Sequence, residues 1–293
     1  MKIAIFARDI YQEWVERLLS ILNLLYEREA DLLFYTNLHQ KLSLYRGKEL
    51  PAAALFSSGS DLPQGVDLFL AFGGDGTFLE SLTIIGDRKI AVAGVNFGRL
   101  GFLAGLGNEP DHLWVDKLLA GQFNIERRGL LSLSFDSLPP SFFSYALNEI
   151  SIHRSDPYMI SLFVKIDGRE LPPYRSDGLV LSTPTGSTAY SLSIGGPIVA
   201  PGVKALILSP ISPHNLNMRP LVISDSSEVE IFVESRVNKA VLSVDNRSLL
   251  ISDNQLLKIK KAPFELNYLS LTKEGFIGAL REKLMWGEDR RNH

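Results

Sequence analysis

The fold is decided by Val66-Asp67-Leu68-Phe69-Leu70-Ala71-Phe72, which runs without a break into Gly73-Gly74-Asp75-Gly76-Thr77 and then Phe78-Leu79-Glu80-Ser81-Leu82-Thr83-Ile84-Ile85. The first seven residues are almost wholly apolar, as expected of a strand buried on both faces of a parallel sheet. Thr77–Ile85 has helical character. In parallel sheets ligands bind beyond the carboxyl ends of strands. Glycines at that place let backbone N–H groups approach phosphate oxygens with no Cβ in the way. Thr77 is expected to cap the helix and leave its amide end open to an anion. Asp75 is out of place among phosphate-binding glycines unless it has a second task. It either holds Mg²⁺ or accepts a proton from an attacking hydroxyl. The plainer reading is a tight turn with an Asp cap. The chain has no Gly-x₄-Gly-Lys-Ser/Thr loop and no complete Gly-x-Gly-x-x-Gly fingerprint, so neither P-loop chemistry nor dinucleotide docking for hydride transfer is supported.

Upstream and downstream of this stretch, strand and helix alternate. Lys2–Phe6, Asp31–Tyr35 and Ile90–Val95 read as strands, and Asp9–Tyr26 and Pro110–Ala120 as helices. That alternation predicts a parallel α/β sheet, Rossmann-like, over residues 1–125. From about residue 126 the pattern changes. Leu130–Phe135, Phe142–His153, Met159–Asp167 and Arg169–Ser182 read as strands, and further strands are expected at Lys204–Leu208, Leu221–Ile223, Glu228–Val233, Ala240–Val244 and Gln255–Lys260. Asp167-Gly168 between two such runs is a strong hairpin signal. Residues 126–271 are therefore expected to form a β-rich, sandwich-like domain. A last helix, Gly275–Trp286 within a segment 272–293, is expected to pack back on the first domain. Two domains with a ligand cleft between them is the resulting expectation.

Composition narrows the function classes. The chain has 293 residues, 45% apolar and 22% charged, enough for two ordinary domains with sizeable cores. No apolar run approaches the ~20 residues of a membrane helix, and Arg8 and Asp9 interrupt the start before a signal-peptide core can form. With no cysteine, disulfides, thiolate metal sites and cysteine nucleophiles are excluded, and a cytoplasmic location is expected. A net charge of −3 provides no general basic field, so no nucleic-acid or membrane partner is expected. None of the five histidines pairs with another at metal-ligand spacing. His153 and His214 are the two that could line a cleft. Lys258-Ile259-Lys260-Lys261 reads as an edge strand protected by charge.

The Gly73–Thr77 turn resembles the shared signature of a kinase superfamily that includes NAD kinases, diacylglycerol and sphingosine kinases, and 6-phosphofructokinases. Later segments choose among them. Gly94-Val95-Asn96-Phe97-Gly98-Arg99-Leu100-Gly101-Phe102-Leu103 is similar to a second hallmark of NAD kinases. Asn148-Glu149 offers an amide and a carboxylate suited to an adenine edge and ribose hydroxyls, and the pair resembles that family's adenosine-binding motif. The longest match is Arg175-Ser176-Asp177-Gly178 followed by Thr183-Pro184-Thr185-Gly186-Ser187-Thr188-Ala189-Tyr190-Ser191-Leu192-Ser193. It is similar to the dinucleotide-binding segment of NAD kinases and unlike that of the lipid kinases. Here Tyr190 can stack on a base or a nicotinamide ring, Thr188 and Ser193 can bond ring edges, Asp177 can accept from an amide or a ribose hydroxyl, and Arg175 can neutralise a pyrophosphate. A Ser/Thr-rich surface loop is the bland alternative. Arg247, in Ser243-Val244-Asp245-Asn246-Arg247, stands where the family commonly has Gln, and is kept as a candidate contact with its role open.

The resemblance spans residues 2 to about 285. It implies phosphorylation of the 2′-hydroxyl of the adenosine ribose of NAD by ATP with Mg²⁺ or another divalent cation, giving NADP. Asp75 would be the catalytic base, or would orient the hydroxyl. Gly73, Gly74, Asp75, Gly76, Thr77 and Phe78 would form the phosphate turn, and Asn148, Glu149, Arg175, Asp177, Thr188, Ala189, Tyr190, Ser191, Leu192, Ser193 and Arg247 the nucleotide contacts. It also implies a homodimer or homotetramer. A lipid kinase or a non-catalytic NAD(P) sensor are the rival readings.

Overall fold

The structure is a computed structural model, and it describes residues 1–46, 54–98, 101–107, 109–271 and 275–285. The chain divides into two compact units, Met1–Arg127 together with the chain from Leu266 onward, and Arg128–Glu265.

The first unit contains β1 (Lys2–Phe6), α1 (Gln12–Glu27), β2 (Asp31–Tyr35), α2 (Thr36–Arg46), β3 (Ala54–Phe56), β4 (Leu68–Phe72), α3 (Asp75–Ile85), β5 (Ala91–Val95) and α4 (Asp111–Leu119). Its strands are all parallel, in the order β3-β2-β1-β4-β5. The chain order reverses between β1 and β4, the switch point at which open α/β sheets bind ligands. The Gly73–Thr77 turn leaves β4 at that switch point. Every residue of β4 is buried, which is why its sequence is continuous rather than alternating. The core of this unit joins Ile3, Ile5, Leu70 and Phe72 of the sheet to Leu18, Leu22 and Leu25 of α1 and to Trp114 and Leu118 of α4.

The second unit contains β6 (Asn124–Ser134), β7 (Tyr145–Ala146), β8 (Glu149–Arg154), β9 (Ile160–Ile166), β10 (Arg169–Glu170), β11 (Tyr174–Ser176), β12 (Gly178–Ser182), a 3-10 turn over Thr185–Thr188, α5 (Tyr190–Ser193), β13 (Ala205–Ile211), β14 (Leu221–Ser224), β15 (Val229–Glu234), β16 (Lys239–Val244), β17 (Arg247–Ser252) and β18 (Leu256–Ser270). One antiparallel sheet runs β14-β13-β12-β8-β16-β17. In the other, β9 lies between β15 and the short β10 and β11, and β15 pairs with β18. Ile150, Ile152, Leu179 and Leu181 of the first sheet share a core with Leu162, Val164, Ile231 and Val233 of the second, as in a β-sandwich. The hairpin expected at Asp167-Gly168 is present, and both residues have positive φ, 51° and 76°, as a two-residue hairpin loop with this pair adopts. From Leu266 the chain belongs to the first unit, where Asn267 and Tyr268 extend its parallel sheet against Ala91 and Val92.

The terminal helix, α6 (Gly275–Leu284), lies with the first unit as expected; Trp286 and the residues after it fall outside the described residues. Several boundaries differ from the sequence reading. The continuous strand expected over Phe142–His153 is broken at Leu147-Asn148, and Arg169–Ser182 is three strands rather than one. α2 carries no clear apolar stripe in its sequence; Leu38 and Leu42 are its buried contacts. β17 adds a strand beyond those expected, on the apolar run Leu249-Leu250-Ile251.

Candidate active site

The phosphate turn is shaped by what its glycines lack. Gly73 has φ +149°, and a Cβ there would lie 2.5 Å from the Thr77 hydroxyl oxygen. Thr77 does not cap α3, contrary to expectation. The N-cap is Gly74, with no side-chain cap, and Thr77 is the third helical residue, its side chain folded back on Gly73. Among the described residues the first amides of α3 have no side-chain acceptor, which leaves the helix end open to an anion. Gly74 and Gly76 are exposed. Phe78 is fully buried and packs edge-on against Tyr268 at 5.8 Å, so its ring anchors the helix inside the unit.

Asp75 is gripped by the second glycine-rich segment. Its Oδ2 accepts from Phe102 N at 2.8 Å, and its Oδ1 accepts from Leu103 N and Ala104 N, each at 3.0 Å. An ionised carboxylate has about four lone-pair sites. Three are taken, and one on Oδ2 remains for a further donor. The grip needs a residue without a side chain at position 101. A Cβ on Gly101 would overlap the carboxylate, with Oδ2 at 2.6 Å. Gly101 therefore acts with Asp75, a role its place in the sequence did not reveal. Asn96 closes its own turn, its side chain bonded to Gly98 N at 2.9 Å and Gly98 O at 3.1 Å, while Arg99 and Leu100 lie outside the described residues.

In the second unit a buried carboxylate organises the Asn148-Glu149 motif. Asp245, at the turn between β16 and β17 with its side chain wholly buried, accepts from the backbone N–H groups of Leu147 (2.9 Å), Asn148 (2.8 Å) and Glu149 (3.1 Å). This explains the break in the strand at 147–148: the backbone turns to face Asp245 instead of a neighbouring strand. Arg247 reaches back to the Tyr145 carbonyl at 2.7 Å and lies 3.8 Å from Asp245 and 5.3 Å from the Phe143 ring centre. Its guanidinium is engaged in tying this corner together.

Glu149, Ser151 and His153 alternate along one face of β8. The Glu149 carboxyl is buried, and its Oε2 has no hydrogen-bond partner among the described residues. Burial above all, then the negative charge of Asp245, push its pKa up to about 8, against a smaller opposing effect of the Tyr190 N–H. Near neutral pH the group is therefore largely protonated and can both donate and accept. His153 bonds Ser151 Oγ through Nε2 at 2.8 Å, and its ring stacks on Tyr190 at 5.7 Å between centroids. Tyr190 thus has one face supported by His153, and its hydroxyl pKa is raised by burial and by the charges of Glu149 and Asp177.

The 183–196 segment lies against this sheet because its residues are small. A Cβ on Gly186 would overlap the Asn148 carbonyl, with the Asn148 Cα at 2.7 Å. Thr183 bonds the Leu147 carbonyl through its hydroxyl and the Asn148 carbonyl through its N–H. Thr188 spends its hydroxyl on the Thr185 carbonyl at 3.2 Å, and Ser191 is buried with Oγ 3.4 Å from Ser209 Oγ. Ala189 and Leu192 are part-buried and Ser193 is exposed. Asp177 and Arg175 part company, because β11 and β12 belong to different sheets. Asp177 pairs with Arg154 at 2.9 Å. Arg175 is exposed and lines a cleft of about 530 Å³ with Ser161, Glu234, Arg236 and Asp253.

Linkage to Glu149 yields a stability prediction. Its folded pKa of about 8 lies above the ordinary value of 4.5, so the folded state holds a proton that the unfolded chain releases. Stability from this group is greatest at or below pH 4.5 and falls as pH rises towards 8. Glu149→Gln should therefore raise Tm at pH 8.5, by an amount corresponding to a few kcal/mol at about 1.4 kcal/mol per pKa unit, and the gain should vanish near pH 4.5. Thermal melts of both proteins across that range check it; a gain independent of pH would contradict the assignment.

Comparison with known proteins places the chain in a family. Residues 3–123 match the model of the ATP-NAD kinase N-terminal domain, and residues 147–271 that of the C-terminal domain. The NAD kinase of Christiangramia forsetii is 38% identical over the whole of both chains, and that of Flavobacterium psychrophilum 42% identical over 81% of this chain and 82% of its own. Among solved structures, yeast NADH kinase complexed with NADH has a TM-score of 0.88 at 25% identity, covering 100% of this chain and 90% of its own. An Archaeoglobus fulgidus NAD kinase in complex with ATP has a TM-score of 0.73 at 26% identity, covering 96% and 99%. With both domain models matched in order and full-length relatives well above 30% identity, the chain belongs to the NAD kinase family and is a phosphotransferase.

Proposed function

We propose that the chain transfers the γ-phosphoryl group of ATP to the 2′-hydroxyl of the adenosine ribose of NAD, giving NADP. The observation that carries this reading is the Asp75 carboxylate, fixed by three amides beside an open helix end with one acceptor site to spare. In the reaction the O2′–H proton passes to Asp75, the O2′–P bond forms, and the bond from the γ-phosphorus to the β,γ-bridging oxygen breaks as ADP leaves. The Gly73–Gly76 amides stabilise charge on the donor phosphates, and most of the catalysis is positioning and electrostatics.

A divalent cation would neutralise charge on the donor phosphates. Among the described residues no set of three His, Asp or Glu converges on a metal position. Asp75 has only one acceptor site to offer. The donor set fits a cation carried in by the phosphates and water, the usual habit of Mg²⁺. Asn148, the protonated Glu149 and Asp177 would meet the ribose and amide groups of NAD, and Tyr190 would stack on one of its rings; Arg175, on the other sheet, stands apart from them. The enzyme would work in the cytoplasm as a homodimer or homotetramer.

A coupled assay for NADP, with ATP, polyphosphate and NADH compared side by side and diacylglycerol as an alternative acceptor, tests the reading. NADP formation is expected; transfer to the lipid alone, or NAD binding without turnover in Mg²⁺, would overturn it. Tyr190→Ala should weaken NAD binding roughly 10-fold, the worth of one base stack, and leave ATP binding within about twofold. Titration calorimetry with each nucleotide decides this, and equal losses would remove Tyr190 from the NAD site.

A further inference from the structure

The phosphate turn has an electrostatic problem. A triphosphate donor must come up to a carboxylate, and the amides of Gly73–Gly76 carry only partial charges. The C-terminal helix brings a full positive charge to the same place. Lys283, near the end of α6, is half-buried, and its Nζ lies over the Phe102 ring, 4.8 Å from the centroid. Phe102 is also the residue whose N–H is given to Asp75 Oδ2 at 2.8 Å. Ammonium and carboxylate thus flank one residue, and their charges attract.

Lys283 forms no ion pair among the described residues. Burial lowers its pKa, and Asp75 and Glu282 offset this only in part. A part-desolvated ammonium resting on an aromatic face, with no carboxylate in contact, still has hydrogen-bonding capacity to spend. The natural taker, next to a phosphate-binding turn, is a phosphate oxygen.

We propose that Lys283 is a ligand of the donor's terminal phosphate, bringing the positive charge that lets this phosphate lie beside Asp75. The proposal rests on the NAD kinase reading. It names the donor because the transferring group is the one that must reach the carboxylate, while the contacts assigned to NAD come from residues of the second unit. Lys283 takes no proton and forms no bond; the atoms transferred are unchanged.

The test uses Lys283→Met, which keeps an unbranched apolar stem on Phe102, and Lys283→Arg, which keeps the charge. The affinities for ATP, ADP and NAD are measured in Mg²⁺, together with Tm and NADP formation. Loss of one charge-assisted contact should weaken ATP binding by Lys283→Met about 10-fold or more. ADP and NAD binding and Tm should stay close to wild type, and Lys283→Arg should recover ATP binding to within about threefold. ATP affinity within twofold of wild type in Lys283→Met, equal loss of all three ligands, or an Arg variant as weak as the Met variant would each overturn the proposal. If the wild-type protein itself forms no NADP, the enzymatic reading fails instead, and the two failures are thereby told apart.

Discussion

Asp75→Asn should lower kcat by roughly 10²–10⁴, the usual worth of a positioned general base, while NAD and ATP still bind. The substitution keeps the shape of the side chain. Its amide oxygen can still accept from Leu103 N and Ala104 N, but its NH₂ then opposes the N–H of Phe102. It loses both the proton acceptor and one of the three ties. A modest fall in Tm is therefore expected beside the large fall in rate. Single-turnover NADP formation at saturating substrates measures the rate, and calorimetry measures binding. A rate within a few-fold of wild type would take Asp75 out of the chemistry.

Gly101→Ala should cost about 10²-fold in kcat, although position 101 itself carries no chemistry. The backbone there has no positive φ to resist a side chain. The obstacle is the carboxylate, which a Cβ would displace from the amides that hold it. A misplacement of about 1 Å at a reacting group costs on the order of 10² in rate. KM for NAD and for ATP should change little, since no assigned binding contact is touched. A double-mutant cycle separates this from general damage. If Gly101 acts through Asp75, adding Gly101→Ala to Asp75→Asn should cost almost nothing more. Additive losses would show that Gly101 acts some other way.

Much of this architecture is legible in the sequence, and what is not has a physical reason. A strand buried on both faces declares itself as a continuous apolar run, so Leu68–Phe72 and the turn after it can be read directly. The Asp167-Gly168 hairpin can be read because its backbone demands are local. α2 escapes because two buried leucines in eleven residues make a weak pattern. The break at Leu147-Asn148 escapes because its cause, Asp245, lies nearly a hundred residues away. The candidate site follows the same rule. The Gly73–Thr77 turn, Glu149 and Tyr190 are marked by their neighbours in the chain. The amides of 102–104 on Asp75, the organising role of Asp245, and the His153 ring beneath Tyr190 exist only once distant segments meet. Arg175 and Asp177, two residues apart, look like one motif until β11 and β12 join different sheets.

NAD kinase chemistry is defined by where the phosphate goes. NAD and its analogue lacking the 2′-hydroxyl on the adenosine ribose should be incubated with ATP, Mg²⁺ and the protein, with binding of both confirmed by calorimetry and the products read by ³¹P NMR. NAD should gain a phosphomonoester on the 2′ oxygen, and the analogue should bind yet remain unphosphorylated. A new phosphomonoester on the analogue, or none on NAD, would contradict it.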